Sequence, residues 1–192
     1  MRPDDRRWLL VGGIGSGKSA VRKLLADHGI RTIDADAVGH LVLGAEALPA
    51  VAERWPDVVL EGQIDRKALA GIVFNDPDEL IELELITHPF IFGRIRAELE
   101  GFDGVAVVEM PVLGAEPEWP RMVVDATDEV RTERAVARGM ERSDVERRMG
   151  SQPSRGEWLA AADVVIPNHG TLGELDETVS KLADYLTGAS AS

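Results

Sequence analysis

The chain has 192 residues, 44% of them apolar and 29% charged, which fits a globular protein with a substantial core. Its formal net charge is −13, from 34 acids against 21 bases, so the surface repels a nucleic-acid backbone and no nucleic-acid partner is expected. The absence of cysteine excludes disulfides, thiol catalysis and cysteine metal sites; with no apolar run near the ~20 residues of a membrane span and no signal-peptide pattern in MRPDDRRW, a cytoplasmic protein without membrane attachment is expected.

Trp8-Leu9-Leu10-Val11 is a short apolar run ending in glycines and reads as a buried strand. From Ser19 the spacing becomes helical, with Val21, Leu24 and Leu25 on one face and Gly29 closing the helix. Ile30-Arg31-Thr32-Ile33, rich in β-branched residues, reads as the second strand. Parallel pairing of these two strands through a right-handed crossover is the default. Asp65 is placed to cap a helix running through Phe74, and Pro77 suits the first turn of the next. A separate helix is expected from Pro89 to Leu99. Val105–Val108, Met122–Val124 and Val164–Ile166 are further core strands, continuous in apolar character as strands covered on both faces are. Leu172–Leu186 forms a closing helix, and the small polar tail TGASAS is expected to be disordered. These elements predict one domain over residues 1–192, a three-layer α/β fold with a parallel sheet of about five strands.

Between the first strand and helix, Gly12-x-x-x-x-Gly17-Lys18-Ser19 matches the phosphate-loop pattern in full. Gly13, Gly15, Ser16 and Gly17 let backbone N–H groups turn inward around phosphates, and the helix that follows adds partial positive charge at its N-terminus. Lys18 reaches the β- and γ-phosphates, and the Ser19 hydroxyl is a Mg²⁺ ligand in such loops. ATP and Mg²⁺ are the expected cofactors. The Asn-Lys-x-Asp of a GTPase and the Leu-Ser-Gly-Gly-Gln of a transporter ATPase are absent, which leaves a small-molecule kinase.

A kinase needs a group to orient the acceptor hydroxyl. Asp34 and Asp36 follow the second strand, at the strand end where open α/β sheets bind ligands. In an extended stretch both carboxylates point the same way; alternatively, one caps a helix starting near Ala37. Asp36 is read as the base, and Asp34 as a cap or a holder of Mg²⁺-bound water. Residues 131–155 reverse the acidic trend with Arg131, Arg134, Arg138, Arg142, Arg147, Arg148 and Arg155. This segment is the candidate lid. Arg138, just before Gly139, is assigned to the phosphates, while Arg131, Arg142 and Arg147 read as solvated partners of nearby acids. His28, His40 and His169 show no partner in the sequence.

The ordered set GGIGSGKS, IDAD, IDR at 64–66, VF-DP at 73–77, HP-I at 88–91, P-L at 111–113, the arginine segment with Gln152, and AD-VI-N at 162–168 resembles the dephospho-coenzyme A kinase family from Leu9 to about Leu186. The resemblance implies a P-loop kinase fold with a helical acceptor-binding insertion over about residues 45–100 and a lid. It implies γ-phosphoryl transfer from ATP to the ribose 3′-hydroxyl of dephospho-coenzyme A, the last step of coenzyme A synthesis. By that resemblance Asp36 is the base, Arg138 a lid cation, Asn168 a neighbour of the adenine, and Arg66, His88 and Pro89 neighbours of the acceptor. A nucleoside or nucleotide kinase and a non-catalytic ATP-binding regulator are the alternatives. Three positions depart from the pattern. Ala20 replaces a threonine that contacts the α-phosphate, Val11 replaces a threonine, and Glu116 stands one residue later than the family's acid.

Overall fold

The computed structural model describes residues 6–113 and 118–188. Glu116 and the last four residues of the tail lie outside the described residues. In chain order the protein forms β1 (Arg7–Val11), α1 (Lys18–Asp27), β2 (Arg31–Asp34), α2 (Ala35–Leu43), α3 (Leu48–Arg54), β3 (Val59–Leu60), β4 (Gln63–Ile64), α4 (Arg66–Val73) and α5 (Pro77–Leu99). It continues with β5 (Ala106–Glu109), β6 (Arg121–Asp125), α6 (Asp128–Ala137), α7 (Arg142–Gly150), α8 (Arg155–Ala160), β7 (Val164–Pro167) and α9 (Leu172–Thr187). These elements make two compact units, one from the residues up to Asp34 and from Asp103 onward, the other Ala35–Phe102.

The first unit carries a five-stranded parallel sheet in the order β2-β5-β1-β6-β7. Period-2 alternation sends Trp8 and Leu10 to one face and Leu9 and Val11 to the other, and all four are buried. Trp8 and Leu10 join Val107, Met122, Val124 and Ile166 in a core closed by Val21 and Leu25 of α1 and Leu175, Val179 and Leu186 of α9. This double burial explains why the strands read as unbroken apolar runs. β1 and β2 are parallel, but they do not pair: β5 lies between them, in register with both. Parallel strands separated by one position still satisfy a crossover, so local sequence cannot choose between adjacency and a gap.

The second unit is helical, with a two-stranded antiparallel β3–β4 ribbon. The side chain of Asp65 accepts from the backbone N–H groups of Lys67 and Ala68 and caps α4; Asp76 caps α5, with Pro77 at its first position. Pro89 does not begin a helix. It lies inside the single helix α5, 23 residues long. A proline costs one backbone hydrogen bond and crowds the preceding turn, but here burial of Thr87, Ile95 and Leu99 on both sides of it carries the helix through. α5 packs on α2, α3 and α4, and Trp55 donates its indole N–H to Glu79 at 2.7 Å. Among the described residues no single helix is long and apolar enough to cross a membrane.

Candidate active site

All five strands of the parallel sheet deliver polar groups at their C-terminal ends. β1 runs into the glycine loop, β2 ends on Asp34, β5 on Glu109 and β6 on Asp125, and Asn168 follows β7. The loop residues Gly13, Gly15 and Gly17, with Lys18, Ser19 and Ala20, line a cavity of about 520 Å³ that Arg138 and Leu172 also border. Of the sequence-predicted phosphate-loop residues, all but Ser16 thus line the same cavity as the predicted lid cation Arg138.

The loop is shaped from outside. Gly17, the N-cap of α1, has φ +100° and offers no side-chain cap to the helix's first-turn N–H groups. Such groups form an anion site. A β-carbon at Gly17 would strike the Asn168 side-chain amide. That amide, on a residue only 5% exposed, donates to the Ser16 carbonyl at 2.7 Å. The resemblance set Asn168 beside the adenine; its side chain braces the loop. Arg134 in turn donates to the Asn168 backbone carbonyl at 2.9 Å and to Gly170 O at 3.2 Å.

Arg131 corrects the sequence reading. It is not solvated but 4% exposed. Its Nε donates to Ile14 O at 2.9 Å and its Nη1 pairs with Asp128 at 2.9 Å. Gln152 Oε1 accepts from Ile14 N–H at 2.8 Å. Arg147 does pair at the surface, with Asp144 at 2.9 Å.

On the β2–β5 side, Ser19 Oγ donates to Glu109 Oε1 at 2.9 Å, and Arg22 bridges Glu109 (2.7 Å) and Asp34 (3.2 Å). Lys18 Nζ donates to Gly12 O at 2.7 Å. The Ser16 hydroxyl is buried with no partner among the described residues. This hydroxyl lies beside Gly12 and is not among the residues lining the loop cavity. Ser19 and Glu109 form an oxygen donor set of the kind a hard cation takes. Glu109 escaped the sequence reading, although it obeys the rule that selected Asp34: an acid closing an apolar strand.

On the β6–β7 side, Arg155 binds Asp125 through two bonds of 2.7 and 2.8 Å, and His169 Nε2 lies 3.3 Å from the same carboxylate. The Arg155 hydrogen bonds hold the Asp125 carboxyl below the usual range. His28 also has a partner, Asp176 at 3.3 Å, so neither histidine is the isolated group that its sequence context suggested.

The remaining predicted residues belong to the helical unit. Helix α2 starts at Ala35 rather than near Ala37, so Asp36 lies in its first turn and not in an extended stretch with Asp34. An acid there is favoured by the helix dipole. Arg66, exposed at the start of α4, donates to His40 O at 2.9 Å. His88 stacks at a tilt on Phe92, 5.5 Å between centroids, one residue before Pro89.

A glycine loop between β1 and α1, on a parallel five-stranded sheet whose strand ends supply acids met by arginines from the flanking helices, defines a P-loop kinase. The fold agrees with that of a shikimate kinase from Acinetobacter baumannii, TM-score 0.55 at 14% identity, covering 98% of this chain and 97% of that one. The dephospho-CoA kinase family model matches residues 9–174. A dephospho-CoA kinase of Streptomyces avermitilis is 42% identical over 88% of each chain. The structure of a dephospho-CoA kinase from Campylobacter jejuni superposes with TM-score 0.72 at 25% identity, covering 96% of this chain and 98% of that one. The chain belongs to the dephospho-CoA kinase family and is an ATP-dependent kinase.

Proposed function

We propose that the protein transfers the γ-phosphoryl group of ATP to the ribose 3′-hydroxyl of dephospho-coenzyme A. The observation that carries this reading is the cavity in which the phosphate loop, the uncapped start of α1 and Arg138 converge, in a chain of this family. The 3′-oxygen forms a bond to the γ-phosphorus as the bond to the β-phosphate oxygen breaks, and Asp36 accepts the hydroxyl proton. Lys18, the loop amides and Arg138 bind and neutralise the transferring group, which suits a reaction catalysed mainly by positioning and electrostatics. Ser19 and Glu109 would hold Mg²⁺, which when bound neutralises charge on the β- and γ-phosphates. Arg66, His88 and Pro89 contact the acceptor, and Asp34 orients Arg22.

The test is Asp36→Asn, assayed with ATP-Mg²⁺ and dephospho-coenzyme A. ATP binding stays normal and kcat falls by ~10²-fold or more, the range for a positioned general base. An unchanged kcat removes Asp36 from the mechanism. ADP release with nucleosides or nucleotides in place of dephospho-coenzyme A would assign the site to a different acceptor, and saturable ATP binding without turnover on any acceptor would make it a regulator.

A further inference from the structure

The phosphate loop spans the gap between β1 and α1, and within it the backbone bond Ser16 N–H to Gly13 O, at 3.1 Å, makes one turn. Ile14, inside that turn, has both of its backbone polar groups held from outside the loop. Its N–H donates to Gln152 Oε1 at 2.8 Å, and its carbonyl accepts from Arg131 Nε at 2.9 Å. Arg131 Nη2 also reaches Gln152 Oε1, at 3.4 Å, so the two clamping side chains are tied to each other. Arg131 itself is fixed by burial and by Asp128. The fit is close enough that a β-carbon at Gly13 would strike the Arg131 guanidinium and one at Gly15 its backbone carbonyl. Gly13 is therefore demanded by the Arg131 side chain, and Gly15 by the α6 backbone at Arg131.

We propose that Arg131 and Gln152 are positioning residues for nucleotide binding: they lock the Ile14 peptide so that the neighbouring loop amides are aimed into the cavity before ATP arrives. Gly13 and Gly15, on either side of Ile14, line that cavity. A loop fixed in its binding geometry loses less freedom on association and presents its donors without reorganisation. The clamp also has a second consequence. Arg131 begins the arginine-bearing segment and Gln152 lies near its end, and Arg138 lies between them in sequence and borders the same cavity. Residues on both sides of Arg138 in sequence thus touch the phosphate loop at Ile14.

This inference rests on the loop binding nucleotide and not on the identity of the acceptor. It is tested by equilibrium binding of ATP-Mg²⁺ to Gln152→Leu and Gln152→Glu at a temperature well below both melting midpoints. Leu keeps the bulk and removes the acceptor; Glu keeps an acceptor for both Ile14 N–H and Arg131. Gln152→Leu weakens ATP binding by about tenfold to a hundredfold, the scale of a displacement near 1 Å in a positioned group. The KM for the acceptor stays near the parent value, and Gln152→Glu retains ATP affinity within about threefold. Unchanged ATP affinity in the Leu variant, or equal losses in both variants, overturns the clamp. If Gln152→Leu does not fold, Gln152→Met is read in the same way. Failure of the nucleotide reading itself is distinct, because the parent protein would then show no saturable ATP binding.

Discussion

Two acids close strands on either side of β1 in the same parallel sheet, and their partners differ in kind. Asp125, at the end of β6, receives two bonds from Arg155 and faces His169. Glu109, at the end of β5, shares its oxygens between Arg22 and the hydroxyl of Ser19. Both are almost fully buried. A carboxylate saturated by cations is a structural pin, since any ligand would have to break strong charge-assisted bonds. Glu109 keeps one oxygen on Arg22 at 2.7 Å, but its other oxygen meets the neutral hydroxyl of Ser19, a weaker partner that is exchanged at less cost. On this contrast the β6–β7 side is expected to hold the scaffold and the β2–β5 side to take part in the chemistry.

Glu109→Gln tests that division with the largest expected effect. The amide keeps the shape but removes the charge beside Ser19 and offers an N–H₂ group toward Arg22. kcat falls by about 10²-fold and the Mg²⁺ concentration needed for half-maximal rate rises, while the melting midpoint changes by only a few degrees; losing one electrostatic contact to a transferring group costs rates of this order. A Mg²⁺ dependence identical to the parent's would place Glu109 on the structural side with Asp125.

The sequence made some of these features legible and hid others for physical reasons. The phosphate loop, the cap at Asp65 and the first-turn proline Pro77 are local chemistry, written in neighbouring residues. The five-strand parallel sheet follows from apolar runs alternating with helical spacing. Strand order is not local, so the insertion of β5 between β1 and β2 had no sequence signal, and with it went the neighbourhood of Glu109, Ser19 and Arg22. Arg131 misled because an arginine among acids reads as solvated, whereas its burial depends on the loop that arrives from residues 13–15. Pro89 misled because propensity yields to packing along α5.

Arg155→Met sharpens the comparison from the structural side with a smaller effect. The Arg155 hydrogen bonds, with His169 adding charge, depress the Asp125 carboxyl. A depressed acid adds stability that is fully present above its unfolded pKa, near 4, and is lost as pH falls through its folded value. At pH 7 the variant should melt a few degrees below the parent. The gap should narrow below about pH 4, as Asp125 in the parent takes up a proton and its ion pair with Arg155 is lost. Melting curves from pH 7 to pH 3 decide it, and a gap that stays constant would mean that the Asp125 pair contributes nothing that titrates.

Ala20→Thr gives the smallest effect and acts only on the exchangeable side. Ala20 lies in the first turn of α1 and lines the loop cavity, where the family pattern has a hydroxyl. One added hydrogen bond to the α-phosphate contributes about 0.5–1.5 kcal/mol net, or roughly two- to tenfold in affinity. Threonine costs a few tenths of a kcal/mol in helix propensity relative to alanine, so the melting midpoint should hardly move. ATP should bind tighter by about two- to tenfold, with kcat unchanged because the α-phosphate carries no developing charge in the transfer. Titration calorimetry with ATP separates the outcomes. Tighter binding would place the α-phosphate against this turn of α1, and an unchanged Kd would mean that the nucleotide leaves the loop by another path.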